Sequence, residues 1–430
     1  MSSYIYISHF LSTWNARVLE YGAVLFLAEL LPNTFLPLSL YALFRSLSAI
    51  LLSHRLGVYI DSTNRLEVIR GSIVYQRIAV ISTCFLFYLM IVVGVDSSWF
   101  NIFLGLLIGF ACVERLCATM NMVSVERDWV VVIADGDTKF LQSLNAKMRR
   151  IDLFCKLIGP LAISYFDVWF NIKDLVLLLL VWNFLSMFFE YYTIACVYKA
   201  YPKLKESKVR PITTTQNETN GNWLQYHLIK PFKFYVNHPM FLPSFSLSIL
   251  YMTVLSFGPQ MIAYLLFEGR DASQVGIMRT VSVVVELLTT FVAPRIMNRT
   301  GPVWAGSGFI VWQSLCLSVG IYTSLFLGGV AAKAETMYLI TGVILSRIGL
   351  WGFDLSAQLI IQHGVEHENS AKFSSIEAGF QSFFELLSFA QTIVWTRPDQ
   401  FVYPIMLSGG STAIACVLFL VFHATHGHAQ

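Results

Sequence analysis

The strongest constraint on this chain is a rhythm: stretches of about twenty apolar residues recur along its 430 positions, separated by short polar links. Fully 56% of the residues are hydrophobic, only 13% are charged, and the mean hydropathy is +0.63. Soluble chains carry roughly twice that charge, so a soluble globular fold is excluded. At about 20 residues of helix per bilayer crossing, the length accommodates about 12 transmembrane helices. Their expected spans are 9–30, 34–56, 70–94, 99–124, 148–167, 174–198, 240–267, 272–297, 303–328, 335–361, 373–396 and 401–423. A net charge of +3 gives no footing for a nucleic-acid partner. The seven cysteines fall in apolar runs without CxxC spacing, which reads as packing and not as a disulfide scaffold or zinc site.

Met1 to Tyr6 holds no Lys or Arg, so the opening segment is not expected to be a cleaved secretory signal. The longest polar interruption, Lys199 to His238, cannot bury enough apolar surface to pack. The expected organisation is therefore an N-terminal six-helix bundle over 1–200, a cytoplasmic linker over 201–238 and a C-terminal six-helix bundle over 239–430. Lys and Arg crowd the links at 55–70, 127–150, 199–233 and 295–299, which places those links and both termini on the cytoplasmic side. The sequons at Asn217 and Asn298 then face the cytoplasm, where they escape glycosylation.

A weak internal repeat supports the two-bundle reading. Gly57-x-x-x-Asp61-x-x-x-Arg65 lies between the second and third helices, and Arg295-x-x-x-Arg299-Thr300-Gly301 occupies the matching link of the second half. Basic and turn-forming residues at that link are what the major facilitator architecture uses at its cytoplasmic face. Any cytoplasmic link is rich in Gly and Arg, which is the plainer explanation of the same residues.

Charges inside the expected helices carry more information. A charged side chain near the bilayer centre costs at least about 2.5–3.5 kcal/mol and must face a partner or water. On helix 1, His9, Thr13, Ala16 and Glu20 share one face, with Arg17 one turn from Glu20. An Arg17–Glu20 pair that merely neutralises itself is the simpler alternative to a cation-binding face. On helix 10, Arg347, Trp351, Asp354 and Gln358 form a stripe; Arg347 and Asp354 stand about 10 Å apart and must look to other helices, in gating contacts or a static network. Helix 11 presents Glu377, Gln381 and Ser388 with Glu385 beside them. In helix 7, Gly258-Pro259 should kink or unwind the helix, because proline removes a hydrogen bond and clashes with the turn before it. Carbonyls freed around Thr253 to Ser256 could then meet a cation. His363 and His367, and the C-terminal His423, His426 and His428, have ligand-like spacing but sit in expected loops. Walker A, nucleophile-elbow and HExxH motifs are all absent, which removes the basis for ATP-driven transport or an enzyme.

With these segments in view the sequence resembles the ferroportin family of iron exporters over nearly its whole length. The resemblance is carried by Ser12-Thr13-Trp14-x-x-Arg17, by Glu126-Arg127-Asp128-Trp129-Val130-Val131-Val132, and by Asn145-Ala146-x-x-Arg149-Arg150-Ile151-Asp152. Leu250-Tyr251-Met252-Thr253-Val254-Leu255 and Arg347-Ile348-Gly349-Leu350-Trp351-x-Phe353-Asp354-Leu355 extend it through the second half. It implies export of ferrous iron, and of other divalent metals such as cobalt, nickel or manganese, by alternating access, with protons as a candidate coupling ion. The metal is substrate; no cofactor is expected.

Where animal members place an Asp and a His in helix 1, this chain has Ala16 and Glu20; where they place a helix-7 Cys and a helix-11 His, it has Pro259 and Ser388. Its helix 1 is more similar to plant-type members. Loss of the helix-7 thiol implies no regulation by the hormone hepcidin. The expected metal ligands are Glu20, His9 and Asn15 on one side, and Glu385, Gln381 and the backbone near Pro259 on the other, a borderline-to-hard set suited to ferrous iron. Arg17, Asp61, Asp128, Arg149, Asp152, Arg347 and Asp354 are the expected gating charges. A monomer in the plasma or vacuolar membrane is expected, and the rival transporter reading is a facilitator-type carrier of a small organic solute.

Overall fold

The computed structural model describes residues 3–30, 36–94, 99–206, 230–326, 332–366, 368–395 and 398–426. Among them there is no strand. The long helices are α1 (Ser3–Leu30), α2 (Leu36–Ser62), α3 (Arg65–Val93), α4 (Phe100–Met122), α5 (Val130–Ala134), α6 (Thr138–Trp169) and α7 (Ile172–Ala200), α5 being a short continuation of α4. After the short α8 (Lys230–Val236) come α9 (Phe241–Ile249), α10 (Pro259–Phe267), α11 (Ala272–Thr300), α12 (Pro302–Phe326), α13 (Ala332–Gly364), α14 (Ser370–Val394) and α15 (Val402–His426). The twelve expected crossings correspond to these elements, with α4 and α5 forming one crossing and α9 and α10 another. Seven of the described helices are, by their own length and apolarity, long enough to cross a bilayer. The chain is an all-α, multi-pass membrane protein.

Two ends differ from the sequence reading. The fourth crossing does not stop at 124 but runs through a wide turn, Val123–Trp129, into α5. Asp135 (φ 53°) and Gly136 (φ 82°) then turn the chain, and α6 begins ten residues before the expected start of its crossing. Lys139, Lys147, Arg149, Arg150 and Asp152 make that start polar, so hydropathy hides helix that packing creates.

The residues form two compact units. One holds Met1–Asp137, Lys147–Phe232 and Glu366–Gly379; the other holds Thr138–Ala146, Lys233–Val365 and Phe380–Gln430. The first unit is cored by Val18, Phe26, Val80, Phe87, Met90, Leu107, Leu175 and their neighbours from α1, α3, α4 and α7. A fully buried ion pair crosses it: Arg77 Nη2 of α3 meets Glu190 Oε1 of α7 at 2.5 Å, with Arg77 Nη1 also donating to Asn183 Oδ1 at 3.1 Å. In the second unit, Val254, Leu255, Met261, Leu339, Val343 and Ile405 form a core. Its α12–α13 seam is built on small residues: a Cβ on Gly349 would stand 2.5 Å from the Phe309 carbonyl oxygen, so only glycine admits this approach.

Candidate functional site

Three constellations of polar side chains lie inside these apolar units. The first gathers around Asp152, midway along α6, in the first unit. His9 Nε2 of α1 lies 2.9 Å from Asp152 Oδ1, and Thr13 Oγ1, one turn along, donates to the same oxygen at 3.1 Å. Arg149 Nη1 approaches Oδ2 at 3.5 Å. Glu126, carried inward by the wide turn after α4, completes the set, and one ligand atom from each of His9, Glu126 and Asp152 lies within 4.8 Å of the others. Two carboxylates so close repel one another, and a cation between them relieves that repulsion. Arg149 acts on both carboxylates, with Arg127 also acting on Glu126 and Arg17 on Asp152.

The residues expected to join His9 are engaged elsewhere. Asn15 is buried; its amide donates to Ser186 Oγ at 2.9 Å and Glu190 Oε1 at 3.3 Å, and its oxygen accepts from Trp182 Nε1 at 2.7 Å. It ties α1 to α7. Glu20 sits about 16 Å along α1 from His9 by helical rise, where Arg17 Nη1 donates to it at 2.9 Å. The expected ligands are thus divided: His9 meets α6 and Asn15 meets α7, while Glu20 is held by Arg17 of its own helix.

The second constellation docks the segment Glu366–Gly379 within the first unit. Asp61 accepts from the backbone N–H groups of Ala371 (3.3 Å) and Lys372 (2.9 Å), so a carboxylate from the end of α2 caps the N-terminus of α14. Gly57, one turn earlier, lets α14 come close: a Cβ there would stand 2.6 Å from Lys372 Cα. Arg127 Nη2 donates to Glu377 Oε1 at 2.7 Å and the Arg127 carbonyl accepts from Ser370 Oγ at 3.2 Å. Beside it, Arg65 Nε meets both oxygens of Asp128, at 3.1 and 3.0 Å. Asp61 and Asp128 were legible as candidates; Arg127 and Glu377 were not paired, since 250 positions separate them.

The third lies in the second unit, where α9 ends at Ile249 and α10 begins only at Pro259. The backbone between them is claimed by side chains. Ser411 Oγ donates to the Met252 carbonyl (3.0 Å), Ser388 Oγ to the Thr253 carbonyl (2.8 Å) and Arg347 Nη2 to the Leu255 carbonyl, while Val254 N donates to Ser408 Oγ (2.9 Å). The Ser256 carbonyl accepts from Gly258 N at 2.6 Å. Of the carbonyls expected to await a cation, those of Thr253, Leu255 and Ser256 are therefore already hydrogen-bonded. Arg347 and Asp354 are both buried on α13, Arg347 being 6% exposed. Gln381 and Glu385 lie half-buried on α14, one turn apart, Glu385 one turn before Ser388. The histidine clusters have other partners: His363 Nδ1 bonds the Leu359 carbonyl at 2.9 Å, and His423 Nδ1 meets Ser307 Oγ at 2.5 Å; His367 and His428 lie outside the described residues.

Comparison with known proteins shows the family and the fold. The family model for Ferroportin1 matches residues 1–412. A curated relative, solute carrier family 40 member 1 of Oryza sativa subsp. japonica, is 28% identical over 94% of this chain and 87% of its own length. Among solved structures, a bacterial homologue of the iron transporter ferroportin in an outward-facing state superposes with a TM-score of 0.86 at 20% identity, covering 98% of this chain and 99% of that one. A major facilitator proton:xylose symporter superposes with a TM-score of 0.62 at 13% identity, over 98% of this chain and 96% of its own, so the fold is major facilitator-like. This chain belongs to the ferroportin family, whose members are transporters and not enzymes.

Proposed function

We propose that this protein exports ferrous iron by alternating access, and that His9, Glu126 and Asp152 form the metal site of its first unit. The carrying observation is the gathering of one imidazole and two carboxylates within 4.8 Å on three separate elements. Such a donor set is borderline to hard; it suits Fe²⁺, Mn²⁺, Co²⁺ and Ni²⁺ and disfavours Cu⁺. Arg149 and Thr13 hold Asp152 when no metal is present, and a divalent ion would take over from the guanidinium. A metal ion binds neutral imidazole and ionised carboxylate, so its arrival expels any proton shared between His9 and Asp152, which makes protons a natural coupling ion.

Gating falls to charges that can be broken and remade, a population shift between two access states. Asp61, capping α14, and Asp128, holding Arg65, serve the cytoplasmic end, with Arg149 and Asp152 linking gate to metal. Arg347 and Asp354 serve the second unit beside the broken segment at Gly258-Pro259, with Gln381 and Glu385 as polar lining. Arg17, paired with Glu20, belongs to this charged set and not to metal ligation. Bundles over 1–200 and 239–430, a linker over 201–238, cytoplasmic termini, a monomer in the plasma or vacuolar membrane and no response to hepcidin complete the reading.

The test is efflux of Fe²⁺ and Co²⁺ from proteoliposomes with Asp152→Asn and Glu126→Gln. Each should lower the rate at least ten-fold and weaken metal binding to the purified protein; binding and flux at wild-type levels in both would remove the assignment.

A further inference from the structure

The seam between α3 and α7, within the first unit, carries a charge of another kind. Both helices are long and apolar enough to cross a bilayer. They run in opposite directions: Arg65 Nη1, at the start of α3, donates to the Glu206 carbonyl just beyond α7 at 2.9 Å, and further along Arg77 meets Glu190. Arg70 lies between these two levels, about 8 Å inside the start of α3 by helical rise. Its guanidinium carbon stands 4.3 Å from the centre of the Tyr191 ring.

No carboxylate of this seam neutralises Arg70. Glu190, the neighbour of Tyr191 in sequence, already accepts from Arg77 at both oxygens, at 2.5 and 3.3 Å. Glu67, three residues before Arg70, is exposed and forms no ion pair with it. Among the described residues the Tyr191 ring is the one partner of Arg70, and Arg70 Nε is a buried donor without an acceptor. A ring face attracts a guanidinium but leaves its N–H donors unclaimed. An arginine in that condition, near the end of a membrane-crossing helix, reaches for the headgroup layer. Its surroundings are open: Tyr191 and Tyr192 are 40% and 67% exposed on α7, and Tyr75 is 63% exposed further along α3. A Cβ at Gly71 would meet nothing within 4 Å.

We propose that Arg70 and Tyr191 form a binding site for the phosphate of an anionic glycerophospholipid, in the leaflet that surrounds the start of α3. Phosphate oxygens take charge-assisted, two-pronged hydrogen bonds from a guanidinium, which supplies the acceptors that the seam lacks. The Tyr191 ring steadies the guanidinium, and the exposed rings of Tyr75 and Tyr192 offer apolar surface to the acyl chains. Lys199, exposed near the same end of α7, adds positive charge, so an anionic headgroup is preferred to a zwitterionic one. The site shares no residue with His9, Glu126 and Asp152.

The test is native mass spectrometry of the purified full-length protein titrated with dioleoyl phosphatidylglycerol or dioleoyl phosphatidylcholine. Wild type should hold about one phosphatidylglycerol per chain, at least about five-fold tighter than phosphatidylcholine. Arg70→Gln should abolish that preference while leaving phosphatidylcholine binding unchanged, a selective loss that misfolding does not produce. Arg70→Lys, which keeps the charge, should keep most of the preference, and Tyr191→Leu should weaken phosphatidylglycerol binding about three-fold. Equal affinity for the two lipids in wild type, or an undiminished preference in Arg70→Gln, would overturn the site.

Discussion

At the scale of single residues the first unit separates two uses of buried charge. Arg77 and Glu190 are both fully buried and bonded to each other, to Asn183 and to Asn15. Removing one partner strands the other in a dry interior, so Arg77→Met should destabilise the protein by about 3–5 kcal/mol, whereas the double change Arg77→Met with Glu190→Met should recover most of it. Thermal unfolding in detergent reads both. Asp152, by contrast, is bonded by an imidazole, a hydroxyl and a more distant guanidinium, all of which can let go. His9→Ala should cost little stability and most of the metal binding, measured as Co²⁺ affinity. His9 could be singled out in the sequence because an imidazole inside an apolar run is costly to ignore. Its partner could not: helical spacing pointed along α1 to Glu20, while the structure supplies Asp152 from 143 positions away.

Among elements, the twelve crossings were legible because apolar length in a bilayer admits little else. What sequence left open was how a helix is interrupted. Proline at 259 announced a defect, but the backbone at 250–258 is stabilised by Ser388, Ser408, Ser411 and Arg347 from α14, α15 and α13. No local rule reveals those partners, since serine in a membrane helix usually bonds its own preceding turn. Ser388→Ala should therefore leave the Thr253 carbonyl short of its donor and destabilise the second unit by about 1–3 kcal/mol, detectable as faster proteolysis or earlier melting. The α2–α14 contact is governed by Gly57 and Asp61. Gly57→Leu cannot be accommodated against Lys372 Cα, and Asp61→Asn weakens a cap worth about 1 kcal/mol. In both, a cysteine introduced at Ala371 should label faster with a membrane-impermeant thiol reagent than in the parent; unchanged labelling would mean that the cap does not hold this end of α14.

For the whole molecule, the sparse charged fraction has three distinct uses: basic links are expected to orient the chain, opposite charges close pairs within the first unit, and a few groups are left with changeable partners. Only the first is readable from composition, because it depends on where charge lies along the chain and not on which charges meet. The family assignment predicts divalent-metal flux, and the donor set narrows it: Fe²⁺ and Co²⁺ should outcompete Ca²⁺ and Cu⁺ in liposome assays, whereas a preference for Ca²⁺ would point to an all-oxygen site without His9.

The docking of Glu366–Gly379 in the first unit, and of Thr138–Ala146 in the second, bears on how the protein is made. Ribosomes deliver the N-terminal helices long before residue 366 exists. Until then Gly57 and Asp61 present an unfilled groove, and Asp61 has no amides to cap. The early helices must wait in the bilayer as an incomplete intermediate, and substitutions at this cap should show first as poor maturation and low abundance in cells, before any defect in the rate of the molecules that survive quality control.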